Sequence, residues 1–262
     1  MRFSVLSSGS RANATFFESG STRILIDCGL SAAKAAERLR RLGIDPDSID
    51  AILVTHEHHD HIAGVPVFSR RHTVPVFANE ATAEFIRKPV GLERFTTGEE
   101  FVVGDLRISP FRIAHDAQDP VGFRIEAEGL VFAQVTDLGR VSPLVREAVR
   151  GVHALVLESN HDPELLLSCD YPWELKQRIS SSHGHLSNNT AAELLAEIRH
   201  PELWHVVLGH LSENSNTPEV ALATLGQHVD PAGFHSVLCA GVAHETPMHE
   251  VGEREFRVAL PG

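Results

Sequence analysis

The sequence predicts an α/β (α+β) fold whose core consists of sheets packed face to face and covered by helices. Short apolar segments of strand-like composition come in runs, and helical patterns are inserted between and after them. Hydrophobic residues make up 42% of the 262 residues and charged residues 22%, a balance typical of globular proteins. No low-complexity linker or solenoid-length repeat divides the chain, so we expect a single domain over residues 1–262.

The first quarter of the chain predicts strands and one clear helix. The helix begins after the N-cap residue Ser31, continues to Leu42, and is terminated by Gly43. Apolar and β-branched residues around this helix predict strands at 3–6, 14–18, 23–27 and 51–54.

The second half predicts a strand meander followed by alternating helices and strands. The meander covers 106–114, 121–127 and 130–135. Helical patterns follow at about 142–150, 188–199 and 217–227, and strands at about 153–158, 204–208 and 235–238.

The charge balance limits how the protein could bind a polyanion. Lys and Arg number 23 against 35 Asp and Glu, a formal net charge of −12. A nucleic acid would therefore have to meet a local basic patch or bound cations. The candidate patches are Arg38, Arg40 and Arg41 in the first helix, and the run Arg70-Arg71-His72.

Cysteine usage and the first residues indicate the compartment. The three cysteines are far apart and odd in number, which excludes a disulfide framework. The segment MRFSVLSSGS has no basic region followed by an apolar one, and no apolar run reaches membrane-spanning length. We expect a cytoplasmic protein with no membrane partner, and the oligomeric state stays open.

The most informative segment is THEHHDHIAG, residues 55–64. His56 and His58 are two residues apart, so in extended chain they project to the same side. Asp60 and His61 then enter a turn that begins a helix, where they aim a carboxylate and an imidazole at the same point. A loop of solvated histidines is the alternative, but clustering directly after a buried strand favours a divalent-cation site.

This HxHxDH pattern resembles the metallo-β-lactamase superfamily, which needs three further ligands. Three candidates occur in the expected order, each after an apolar run: His115, Asp137 and His210. Each alone is a weak signal, and the full set is a strong one. Asp27, which closes a strand, matches the early Asp that supports the metal loop in that superfamily.

Along nearly its whole length the chain is similar to the YycJ/WalJ group of metallo-β-lactamase-fold nucleases. The matching pieces begin with Ser7-Ser8-Gly9-Ser10 and Asn13, although Ala12 stands where we expect Gly. They continue with His115-Asp116, Val135-Thr136-Asp137-Leu138-Gly139, Glu158-Ser159-Asn160-His161-Asp162, Ser182-His183-Gly184-His185-Leu186-Ser187-Asn188 and Gly209-His210-Leu211-Ser212.

The resemblance implies a four-layer αββα sandwich of two mixed sheets flanked by helices, with two divalent metal ions (Mn²⁺ or Zn²⁺) at its edge. It also implies phosphodiester hydrolysis by a hydroxide shared between the cations, with nucleic acid as substrate and 5′-to-3′ DNA exonuclease activity. The implied ligands are His56, His58 and His115 for one cation and Asp60, His61 and His210 for the other, with Asp137 between them.

The resemblance also implies roles beyond metal binding. His185 is the candidate proton donor to the leaving group, because ribonuclease Z-like phosphodiesterases carry a catalytic His in such a segment; Asp60 is expected to act in catalysis as well as in ligation. His183 is the alternative to His185. Asn13, Asp27 and His161 are candidates for supporting the ligands or contacting substrate.

Other activities are compatible with the same metal set. A small-substrate phosphodiesterase acting on cyclic or nucleotide phosphates is the main alternative, because no appended nucleic-acid-binding segment is visible. A glyoxalase II-like thioesterase fits the SSHGHLSN segment less well. A true β-lactamase is disfavoured because it would be exported and would lack the bridging Asp137, and a non-enzymatic metal-binding regulator would be favoured only if a ligand were missing.

Overall fold

The computed structural model describes residues 1–252 of the chain. The strands of that part are β1 (Arg2–Ser7), β2 (Ala14–Ser19), β3 (Thr22–Ile26), β4 (Ala51–Leu53), β5 (Val76–Asn79), β6 (Leu92–Phe95), β7 (Phe101–Val103), β8 (Leu106–Arg112), β9 (Val121–Ala127), β10 (Leu130–Val135), β11 (Ala154–Glu158), β12 (His205–Gly209), β13 (Ser236–Cys239) and β14 (His249–Glu250). The helices are α1 (Ala32–Arg41), α2 (His59–Ile62), α3 (Val65–His72), α4 (Glu80–Ala83), α5 (Pro143–Ala148), α6 (Pro163–Ser168), α7 (Trp173–Ile179), α8 (Asn188–Ile198) and α9 (Pro218–His228). None of these helices has the length and apolar character needed to cross a bilayer.

The strands form two mixed sheets of seven strands each. The first has the order β14-β1-β2-β3-β4-β5-β6 and the second β13-β12-β11-β10-β9-β8-β7. In the first sheet β1 to β3 pair antiparallel and β3 to β6 pair parallel. In the second sheet β7 to β10 pair antiparallel and β10 to β13 pair parallel. Each sheet therefore passes from an antiparallel half into a parallel half.

Aromatic rings hold the two sheets together. Phe3 and Phe17 of the first sheet both contact Phe132 of the second, with ring centroids 5.0 Å apart in each pair. All three rings are fully buried in one apolar cluster that includes residues of both sheets. Tilted aromatic pairs of this kind add to the stabilisation from burial itself.

Helices cover the outer face of each sheet. On the first sheet, Leu39 of α1 and Phe68 of α3 belong to one buried cluster. On the second, Leu195 of α8 and Leu225 of α9 belong to another. The layers are therefore helix, sheet, sheet and helix, which confirms the four-layer αββα sandwich expected from the sequence.

Most elements lie within two residues of their predicted positions. The Ser31 hydroxyl accepts a hydrogen bond from the Lys34 amide at the start of α1, as a helix cap should. The strands β6 and β7 were not predicted, because most of their residues are partly or fully exposed. Helix α7 was not predicted either, because it buries none of its residues.

Some members of the two predicted basic patches have partners within the fold. Arg38 is 2% exposed, and its guanidinium donates to the carbonyl oxygens of Leu6, Val242 and Ala243. Arg70 donates to the carbonyl of Lys88 at 2.9 Å, and the buried His72 contacts Asp47. Arg38, Arg70 and His72 are thus engaged within the fold, while Arg40 and Arg71 are exposed, and contact of either patch with a phosphate stays a prediction.

Candidate active site

The candidate site lies at the edge of the sandwich where buried strands of both sheets end. Asp27 follows β3 and His56 follows β4 in the first sheet. In the second sheet Asp137 follows β10, Glu158 is the last residue of β11, and His210 follows β12. Carboxyl ends of parallel strands are where α/β folds place their ligands, and here five such ends supply polar side chains to one place.

Three histidines form the first ligand group. The ring nitrogens of His56, His58 and His115 lie close enough together to share one metal ion. Nδ1 of His58 and Nε2 of His115 are 3.3 Å apart, and the His56 ring centroid lies 4.6 Å from that of His58. Within residues 1–252, Nε2 of the fully buried His56 has no hydrogen-bond partner. Three converging imidazoles are a donor set that suits zinc and similar cations.

The second ligand group combines a carboxylate with two imidazoles. Oδ2 of Asp60 lies 3.4 Å from Nε2 of His61 and 3.9 Å from Nε2 of His210. The short helix α2 carries Asp60 and His61 directly after the histidine loop. The side-chain amide of Asn13 donates to Oδ2 of Asp60 at 3.0 Å, and its nitrogen lies 3.0 Å from Nε2 of His61. Asn13 therefore contacts this group.

Asp137 lies between the two groups. Its carboxylate oxygens are 3.1 Å from Nε2 of His61, 3.6 Å from Nε2 of His115 and 3.5 Å from Nε2 of His210. Among the described residues, neither Oδ2 of Asp137 nor Nε2 of His210 has a hydrogen-bond partner, although both atoms are buried. Buried polar atoms without partners are costly, so unpartnered donor atoms that converge in this way fit bound cations. The residues present therefore suit a pair of divalent metal ions.

Asp27 supports this arrangement from behind. Its Oδ2 lies 2.8 Å from Nδ1 of His61 and accepts a hydrogen bond from the Thr55 hydroxyl at 2.9 Å. Its Oδ1 accepts the Thr55 amide at 2.9 Å. With Nδ1 of His61 engaged by this carboxylate, Nε2 is the ring nitrogen directed at Asp60 and Asp137, the pattern by which carboxylates orient metal-binding histidines.

Three of these residues have a left-handed backbone. The φ angles are 61° at Asp27, 59° at Asp137 and 56° at His210. Residues other than glycine rarely adopt this region, and Asp and His are among those that adopt it most readily. Each turn comes where a strand ends and redirects the chain at the site, and such strained conformations concentrate at functional sites.

Glu158 is the residue whose role the sequence did not reveal. It is fully buried, and its Oε1 lies 2.8 Å from Nδ1 of both His185 and His210. Its Oε2 accepts the amides of Leu138 and Leu186 at 2.7 and 3.1 Å. One carboxylate thus joins a predicted metal ligand to the predicted proton donor. The available signal was a charged residue that ends an apolar strand, the same signal that pointed to Asp27.

Charges within the cluster balance one another. Burial opposes the effect, but Asp137 and Asp27 raise the pKa of His61 well above its ordinary value. Against the effect of burial, Asp137, Asp60 and Glu158 raise the pKa of His210 to about 10. Burial lowers the pKa of His56, which is therefore neutral and able to act as a ligand. Protonated His61 and His210 offset the carboxylates, so a cation that binds here must displace their protons.

A cavity of about 340 Å³ opens over the cluster. Its floor includes His58, Asp60, His115, Asp137, His185 and His210. One wall is α7, which supplies Leu175, Arg178 and Ile179. Arg178 forms an ion pair with Asp116, its Nε donating to Oδ2 at 2.7 Å. The sequence did not predict this wall, because α7 buries no residue and so shows no apolar periodicity.

The remaining candidates lie outside that cavity. His183 is exposed and lines a neighbouring groove together with Arg140. His161 is 4% exposed and faces a separate small cavity between α6 and α7. His59, in the same loop as His58, is exposed and belongs to none of the potential metal-binding groups found in residues 1–252.

Comparisons with known proteins agree with this geometry. A family model described as a beta-lactamase superfamily domain matches residues 22–210. The chain is 35% identical over 240 residues to Exodeoxyribonuclease YycJ of Bacillus anthracis, which covers 89% of this chain and 91% of that protein. It is 36% identical over 232 residues to Exodeoxyribonuclease WalJ of Streptococcus pneumoniae, which covers 86% of each.

Solved structures show the same fold at lower sequence identity. The metallo-beta-lactamase fold protein YhfI from Bacillus subtilis matches with a TM-score of 0.70 at 15% identity, over 94% of this chain and 98% of that one. The short form of human tRNase Z matches with a TM-score of 0.66 at 15% identity, over 97% and 100%. From the family match, the curated relatives and the arrangement of its two sheets, this chain belongs to the metallo-β-lactamase superfamily and, within it, to the YycJ/WalJ family.

Proposed function

We propose that this protein is a dinuclear metal-dependent phosphodiesterase that degrades DNA from a 5′ end. The observation that carries the proposal is the convergence of seven ligand-type side chains beside a histidine that a buried carboxylate holds in place. The names of the YycJ and WalJ relatives support DNA as the substrate. We further propose Mn²⁺ or Zn²⁺ as the physiological metal and the cytoplasm as the compartment.

In this proposal the metal ligands are those of the two groups described above. His56, His58 and His115 hold one cation, Asp60, His61 and His210 hold the other, and Asp137 lies between them. Two such cations would lower the pKa of water toward neutrality and neutralise the charge that develops on the phosphate oxygens. Asp60 contributes to catalysis through this placement.

His185 supplies the proton that the leaving oxygen needs. Its Nδ1 is engaged by Oε1 of Glu158, which leaves Nε2 as the ring nitrogen that can exchange a proton with substrate. The imidazole is 21% exposed and lines the cavity, so it can reach a bound phosphodiester. The Glu158 carboxylate engages Nδ1 and so orients the ring, as the orienting carboxylate does in other acid–base pairs.

Other residues shape access to the cavity. Asn13 holds Asp60 in place through its amide, and Asp27 holds His61. The wall formed by α7 covers part of the cavity and limits what can enter it. The size of the cavity also fits the second candidate function, hydrolysis of a small cyclic or nucleotide phosphodiester.

A substrate panel tests the proposal. The metal-reconstituted protein is incubated with 5′-labelled single- and double-stranded DNA, labelled RNA, a chromogenic phosphodiester and a thioester. We expect mononucleotides or short products from the 5′ label of DNA before any internal fragment. Inertness toward every nucleic acid, with rapid turnover of the small diester or the thioester, would instead establish an alternative function.

A further inference from the structure

A second groove lies beside the metal cavity, and the proposed function leaves it unused. It has a volume of about 400 Å³ and shares His115 with the cavity. We name it the Arg140 groove after the residues that line it and carry the argument: Arg112, Asp119, Arg140, Leu144 and His183. Because the two depressions share a wall, a strand whose phosphate reaches the metal ligands can continue into this groove.

Close backbone packing fixes the groove relative to the ligands. The Gly139 amide donates to the Ala114 carbonyl at 2.8 Å, next to His115. A Cβ atom at Gly139 would lie 2.6 Å from backbone atoms of Ser182 and Gly184, so the two loops are in direct contact. Nδ1 of His115 lies 3.2 Å from the Gly184 carbonyl oxygen. The loops that carry Arg140 and His183 are thus locked to a metal-binding histidine.

The charge of the groove is positive although the protein is acidic. Arg112 forms an ion pair with Asp119 at 2.8 Å, which neutralises both. Arg140 is exposed and has no ion pair or hydrogen bond with any residue of the described range 1–252. Leu144, 53% exposed, adds apolar surface beside it. An arginine without a partner next to an apolar side chain suits a phosphate followed by a base or a sugar.

Resting on the proposed function, we propose that the Arg140 groove binds the sugar–phosphate backbone of a single-stranded polynucleotide next to the scissile phosphate. Arg140 contacts a phosphate through its guanidinium, and His183 and Leu144 form the walls. On a chain with a net charge of −12, this groove provides the local basic surface that a polyanion needs. Arg140 acts in binding and takes no part in the proton transfers at His185.

The test compares Arg140→Ala with Arg71→Ala, which removes an exposed arginine of α3 that lines neither depression. For a 5′-labelled single-stranded oligonucleotide, Arg140→Ala should raise KM about 10-fold or more with kcat nearly unchanged. The slope of log Kd against log salt, measured in chelator so that no cleavage occurs, should become shallower by about 0.7. Arg140→Glu should weaken binding further. Arg71→Ala should change none of these values.

Turnover of a small chromogenic phosphodiester separates the groove from the metal site, because such a substrate does not extend into the groove. It should be equal in wild type and Arg140→Ala. If the wild type degrades DNA and Arg140→Ala has the same KM and the same salt slope, the inference is overturned and the proposed function stands. Equal loss on the small diester also overturns it, because Arg140 would then act at the metal site. If Arg140→Ala weakens binding of the oligonucleotide in chelator but the metal-loaded wild type never cleaves it, only the proposed function is overturned.

Discussion

At the residue scale, the buried Glu158 carboxylate has hydrogen-bond partners on both of its oxygens. Its two oxygens accept four N–H groups: two from imidazoles and two from the amides of Leu138 and Leu186. Burial opposes ionisation, yet the neighbouring His185 and His210 lower the pKa of the Glu158 carboxyl to about 2. The negative charge is therefore retained at neutral pH, and no neutral side chain of the same shape can accept all four donors.

Glu158→Gln tests this directly. Either orientation of the amide turns its NH₂ toward two N–H donors, so buried donors lose their acceptor at a cost of about 1–3 kcal/mol. We expect a lower free energy of unfolding in urea and a large loss of turnover. The matched control is Glu164→Gln at an exposed position of α6, which should stay within about 0.5 kcal/mol of wild type. Equal stability of both variants would contradict the interpretation.

The proposed division between ligand and proton donor leads to a second prediction. His185→Ala should lower kcat by about 10²- to 10⁴-fold while the protein still binds two metals per chain. Asp137→Ala should lose metal as well as activity, because Asp137 contacts both ligand groups. Metal content by elemental analysis and turnover by a labelled-DNA assay are measured on the same samples. His183→Ala is the control, and if it alone removed kcat, the proton donor would be His183.

The site residues predicted from the sequence either lie in a contiguous motif or closely follow an apolar strand. His56 to His61 are contiguous, and Asp137 and His210 each end a predicted strand. The role of Glu158 was missed because its partners come from distant segments. Arg178 was missed because its ion pair with Asp116 joins residues 62 positions apart, and no local pattern encodes such a contact.

At the scale of elements, the turn after β3 holds the metal loop in place. In the metal loop, residues 55–64, the His61 carbonyl accepts the backbone amide of Cys28 at 2.9 Å. The Asp60 carbonyl accepts the backbone amide of Asn13 at 2.7 Å. Gly29 lies so close to α2 that a Cβ atom there would be 1.5 Å from the Asp60 carbonyl oxygen. Only glycine permits this approach, so the β3 turn and the metal loop fit together as a unit.

Gly29→Ala should therefore destabilise the protein by about 2 kcal/mol or more, because backbone and not a flexible side chain must move. It should also weaken metal binding through the displaced Asp60. The control is Gly226→Ala in α9, where a Cβ atom meets nothing within 4 Å. That change should stabilise the protein by about 0.5–1 kcal/mol. Thermal unfolding is measured for both variants. Tm values that move in the same direction would contradict this explanation.

Element prediction succeeded for strands that are buried along most of their length and missed elements that are short or largely exposed. The apolar strands β3, β4, β10, β11 and β12 were predicted, and they are the strands that end at the site. β6 and β7 have few buried residues, and α7 has none, so local sequence carries no signal for them. The helix α7, which covers the cavity, is thus the part of the site that could be found only from the structure.

At the scale of the whole molecule, the two sheets bring their parallel halves to one edge. Each sheet contributes strand ends there, so the site depends on both sheets packing through the Phe3, Phe17 and Phe132 cluster. The family and the four-layer fold expected from the sequence are both confirmed. The net charge of −12 was predicted to require cations or a local basic patch, and the clustered ligands and the Arg140 groove are where we place them.

The central claim is that two cations held by these seven side chains drive the removal of nucleotides from a 5′ end of DNA. The most direct measurement is a titration of metal-free protein with Mn²⁺, with bound metal and release from 5′-labelled single-stranded DNA followed together. The account predicts that activity rises until two equivalents are bound and that the label leaves first in mononucleotides or short products. Saturation at one equivalent, or a random internal ladder with two metals bound, would contradict it.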